Sequence, residues 1–91
     1  MKLPRDLNGA DLVRALCKHF GYRQVNREGS HIILQVETPR HHRLAIPDHH
    51  PLRLGTLNAI LRAVAVAQGV DKEVILRRLE GLPGLSGPLL G

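Results

Sequence analysis

Six histidines stand in a chain of 91 residues: His19, His31, His41, His42, His49 and His50. Histidine is the side chain whose ordinary pKa suits proton transfer near neutrality. Cleaving RNA needs a base for the 2′-hydroxyl proton, an acid for the leaving 5′-oxygen, and positive charge for the phosphate. Histidine and arginine together supply all three without a metal. His31 follows Glu28-Gly29-Ser30. A tight Gly-Ser turn leaves backbone N–H groups free and lets a phosphate come close. The same placement also fits an ordinary exposed histidine at a strand end.

A second cluster runs from Ile46-Pro47-Asp48-His49-His50-Pro51 through Leu52-Arg53-Leu54-Gly55-Thr56-Leu57. It leads into the predicted start of a helix, where exposed N–H groups and the helix dipole attract phosphate. Arg53 adds charge there, and a plain capped loop is the alternative. The pairs His41-His42 and His49-His50 raise the question of a metal. Adjacent residues of a strand point to opposite faces, and neither pair has zinc-ligand spacing. No metal site and no cofactor are expected.

The elements that must position these groups follow from periodicity. Leu12, Leu16 and Phe20, with Val13 and Cys17 beside them, form one apolar stripe. Asn8 is placed to cap that helix, Asp11 lies in its first turn, and Gly21 ends it. Residues 22–28 read as a weak strand and Gly29-Ser30 as a turn. Residues 31–37 are a clear strand, with Ile32, Leu34 and Val36 on one side and His31, Ile33, Gln35 and Glu37 on the other. Residues 42–46 form a third strand, closed by Pro47. If Ile32, Leu34 and Val36 face the helices, His31 begins on the open face. The first strand does not settle its own facing: Val25 argues for burial, but Arg23 and Arg27 share its side in a regular strand. A second long helix spans about Gly55 to Gln68, burying Leu57, Ile60, Leu61, Val64 and Ala65, and Gly69 ends it. Asp71 begins a short third helix ending near Leu79. The expected fold is α+β, in the order α-β-β-β-α. A three-stranded antiparallel sheet carries two helices on one face, and a short helix follows.

The chain has one tyrosine, one phenylalanine and no tryptophan, so its core must come from aliphatic side chains. Its formal net charge is +5, a balance that favours polyanionic partners through counterion release. Cys17 is the single cysteine. It excludes an internal disulfide and is read as packing rather than as a nucleophile. No apolar run is long enough for a membrane span or a secretory signal, so a cytoplasmic protein is the expectation. Residues 81–91 hold four glycines and two prolines and read as a flexible tail behind a folded unit of residues 1–80. The alternative is an apolar clip formed by Leu82, Leu85, Leu89 and Leu90.

Four strings resemble the HicA family of toxin–antitoxin toxins: Gly29-Ser30-His31, Ile46-Pro47-Asp48-His49, Gly55-Thr56-Leu57-Asn58-Ala59-Ile60-Leu61-Arg62, and Leu7-Asn8-Gly9-Ala10-Asp11-Leu12-Val13 before Gly21-Tyr22. They occur in family order over about residues 3–80. The resemblance implies a double-stranded-RNA-binding-domain-like fold and a metal-independent endoribonuclease that cleaves mRNA. It also implies a HicB-like antitoxin as protein partner, and it puts the catalytic histidine at His31, acting as general acid or base. Gly29, Ser30, Arg27, Arg53 and His49 are the expected RNA- and phosphate-binding residues. Two positions depart from the family pattern. Ile32 stands where many members have a second histidine, and Glu28 where relatives often have lysine, an unfavourable carboxylate beside a phosphate site. The alternative function is a non-catalytic RNA-binding module on the same fold.

Overall fold

The computed structural model describes residues 7–79; the 81–91 segment lies outside the described residues. The elements are α1 (Gly9–Phe20), β1 (Arg23–Glu28), β2 (His31–Val36), β3 (His42–Pro47), α2 (Leu54–Gln68) and α3 (Lys72–Leu79). The three strands form one antiparallel sheet in the order β1-β2-β3. This is the α+β arrangement expected from the periodicities, with element ends moved by a residue.

α1 begins as its sequence dictates. The Asn8 side chain accepts the Asp11 N–H at 2.8 Å, which satisfies one of the first-turn donors that lack an intrahelical partner. Asp11, a buried charged residue, pairs with Arg14. Gly21 ends the helix at φ +76, a left-handed position that glycine takes without strain. Leu12, Val13, Ala15 and Leu16 are buried, and Cys17 and Phe20 pack at the edge of the core. Burial pushes the Cys17 thiol pKa up, in keeping with a packing role.

Ile32, Leu34 and Val36 of β2 and Ile46 of β3 meet the helices, against Leu57, Leu61 and Val64 of α2 and Ile75 and Leu79 of α3. β1 contributes nothing to this core, and all six of its residues are exposed. Its pairing with β2 shifts between Gln24 and Asn26. This bulge corrects the expectation that Arg23 and Arg27 share a side. One extra residue reverses the alternation. Arg23 therefore stands opposite Gln35 on the open face, while Arg27 stands opposite Ile32 on the helix-covered face. The open face reads in three cross-strand rows: Glu28–His31–Pro47, Asn26–Ile33–Ala45 and Arg23–Gln35–Arg43. Ile33 is only 7 % exposed although it lies outside the main core, so the middle of that face is partly covered by its neighbours.

Candidate functional site

The site stands at the end of the sheet where β2 begins and β3 ends. A two-residue loop, Gly29-Ser30, joins β1 to β2. Gly29 has φ +61 and Ser30 does not have positive φ, the φ signs of a type II′ hairpin turn, which puts glycine first. Such a loop fixes the register, so Glu28 and His31 are direct cross-strand partners and Pro47 flanks His31 on the other side. His31 is exposed on the open face.

The loop after β3 is tied to this turn. The Asp48 N–H donates to the Ser30 carbonyl at 2.7 Å. The Arg27 guanidinium donates to the Asp48 carboxylate at 2.8 Å. α1 closes over the same loop: Gly9 N–H donates to the His49 carbonyl at 2.9 Å, and Leu52 N–H to the Leu7 carbonyl at 2.8 Å. A Cβ at Gly9 would lie 2.0 Å from the Pro47 carbonyl oxygen, so only glycine permits this approach. Motifs far apart in the chain therefore converge on one end of the sheet.

The expected site residues are not equally placed. Gly29, Ser30 and His31 form the turn and strand start. Arg27 joins them through Asp48, from the other side of the sheet. His49 enters by its backbone, with its side chain exposed. Arg53 stands apart from that network, at the N-cap of α2. It is exposed and makes no side-chain capping bond. The α2 first turn holds no acidic residue, which leaves its N-terminal dipole without an opposing carboxylate. Among the described residues no three His, Cys, Asp or Glu side chains converge.

Two features were not singled out from sequence. Asp48 stands in the sequence as a loop residue of the Ile46-Pro47-Asp48-His49 string, and its pairing with Arg27, 21 positions away, is not marked there. Glu28 as the opposite number of His31 was implicit in the two-residue turn. At the other end of the sheet, the buried Tyr22 hydroxyl lies 2.7 Å from His42 Nδ1. Burial, and then the charge of His41, push the His42 pKa below its ordinary value. Near them the Glu37 carboxyl pKa is lowered, first by its hydrogen bond with His41 and then by that from Gln35.

The family model for the HicA toxin of bacterial toxin–antitoxin systems matches residues 9–66. The chain belongs to the HicA toxin family. The match begins at the glycine that α1 presses against Pro47 and ends inside α2, so it contains the hairpin, His31 and the loop described above. Membership in HicA makes this a toxin-family chain of the toxin–antitoxin class, with an antitoxin as its general counterpart. No curated protein and no solved structure matches the chain. None of the described helices is long and apolar enough to cross a membrane.

Proposed function

We propose that this HicA-family chain is a metal-independent endoribonuclease that cleaves mRNA in the cytoplasm, with His31 as a general acid or base. The observation that carries the reading is the placement of His31: exposed, at the start of the central strand, between a Gly-Ser turn and a loop pinned to that turn. An exposed imidazole on a rigid strand can reach a phosphodiester laid on the open face. The backbone of Gly29-Ser30 leaves room for the phosphate. Arg27, on the opposite side of the sheet from His31, adds charge at this end; its pair with Asp48 is half-exposed, at 49 % and 35 %, and such pairs contribute only about 0–1 kcal/mol. A phosphate can compete for that guanidinium. Arg53 and His49 extend the positive surface toward α2. A HicB-like antitoxin silences the enzyme by covering this end of the sheet, and residues 1–80 form the catalytic unit.

The test is cleavage of RNA by the wild type and by His31→Ala, with EDTA present. The expected result is metal-independent cleavage that falls about 10²–10⁴-fold in the variant, the range for loss of a proton-transfer group. Equal rates would remove His31 from the mechanism. Salt-sensitive binding without cleavage by the wild type would make the chain an RNA-binding module instead.

A further inference from the structure

We infer that Glu28 is the second proton-transfer group of the site, acting as general base while His31 acts as general acid; this rests on the ribonuclease reading above. Cleavage without a metal needs two groups, one on each side of the phosphorus. In-line displacement puts the attacking 2′-oxygen and the leaving 5′-oxygen on opposite sides, and each group must come within about 2.6–3.2 Å of its oxygen. Acid and base must therefore be neighbours that do not bond to each other.

Glu28 and His31 meet that requirement. They are direct partners across β1 and β2, so they share one face, with Cβ atoms typically ~4.5–5.5 Å apart. Both are exposed. The ion pairs among the described residues are Arg14–Asp11, Arg27–Asp48 and His41–Glu37; among those residues Glu28 and His31 form none, and both side chains face solvent. Asn26, next on the same face, donates to Glu28 Oε2 at 3.4 Å and steadies the carboxylate on that side. Among the described residues the other ionisable groups of this loop are Asp48, occupied by Arg27, and the exposed His49 and His50. From α1 comes Asp11, occupied by Arg14. Among the described carboxylates at this end Glu28 is thus the one without an arginine partner, and it is the direct cross-strand partner of His31.

In the step, the Glu28 carboxylate takes the 2′-hydroxyl proton as the 2′-oxygen bonds to phosphorus. The P–O5′ bond breaks, and the His31 imidazolium gives its proton to the 5′-oxygen. The products are a 2′,3′-cyclic phosphate and a 5′-hydroxyl, with Glu28 protonated and His31 neutral. Exchange with water returns both groups to their starting states, and no co-reactant is consumed.

The experiment is the pH profile of kcat/KM for the full chain on a short single-stranded RNA. It compares wild type, Glu28→Gln, Glu28→Asp and His31→Ala, with product ends identified by mass. Glu28 is an exposed edge-strand residue, so circular dichroism should match wild type throughout. The expected wild-type profile is bell-shaped, with cyclic phosphate ends. Glu28→Gln should fall about 10²–10⁴-fold and lose the acidic limb, and Glu28→Asp should keep that limb. If Glu28→Gln keeps the wild-type rate, or slows with both limbs intact, while His31→Ala is inactive, the base is not Glu28 and the ribonuclease reading stands. Linear 5′-phosphate products would also overturn the proposal. Wild-type rates in both Glu28→Gln and His31→Ala would sink proposal and reading together.

Discussion

Arg27 illustrates how one residue's role depends on what it touches. In sequence it is a cation two positions before Gly29-Ser30. In the structure it crosses to the helix-covered side and meets Asp48. Asp48→Asn should release it. RNA should then bind more tightly, and the slope of log affinity against log salt should steepen by about 0.7, the value for one added phosphate contact on a single strand. Stability should change by less than about 1 kcal/mol, as for an exposed pair. An unchanged salt slope would mean that releasing Arg27 from Asp48 adds no phosphate contact. Arg53→Ala should shallow the slope by about the same amount, because Arg53 is exposed and pairs with no carboxylate among the described residues. The Gly-Ser turn and the place of His31 at the start of β2 were legible from residue type and order alone. The Arg27–Asp48 pair was not, because nothing local marks two residues 21 positions apart as partners.

The elements carry their own lessons. The amphipathic stripes of α1 and α2 and the alternation in β2 announced themselves, since one face of each meets a common core. β1 was legible only as a weak strand with no settled facing, because it is an edge strand that buries nothing and slips its register at a bulge, which no hydrophobic pattern records. Gly9 was equally silent: a small residue in a first helical turn looks replaceable. Its contact with the Pro47 carbonyl says otherwise. Gly9→Ala should cost about 1–3 kcal/mol, as overpacking does, read from the urea midpoint at unchanged m-value. Cleavage should fall with it, because α1 and the loop at the site would part. Asn8→Ala should cost about 0.5–2 kcal/mol through the lost cap. At the far end, His42 links strand packing to pH. Its pKa is lower in the folded chain than in the unfolded one, so the unfolded chain binds the proton more readily. Stability is complete above the ordinary histidine value of about 6.5 and declines as pH falls through it. Urea midpoints at about pH 7.5 and about pH 5 should show that decline, and His42→Gln should flatten it.

Across the whole molecule, the two ends of the sheet have different tasks. One end gathers the exposed groups His31, Glu28, Arg27 and His49, while the other buries Tyr22 beside His42. Changes at the second end should therefore alter stability while leaving the salt slope of RNA binding in place. The +5 net charge gave the expectation of a polyanionic partner, but only the fold brings the distant motifs to one edge. The hydrogen bonds from Gly9 to His49 and from Leu52 to Leu7 have a consequence in time. The hairpin of β1 and β2 joins near neighbours and can close early, whereas these two bonds unite segments 40 and 45 positions apart and close later. A chain still emerging from the ribosome, with its hairpin released and its later residues unmade, holds His31 without the loop that surrounds it. On the proposed ribonuclease reading, a toxin built this way spares the message it is being read from until its synthesis is well past that loop.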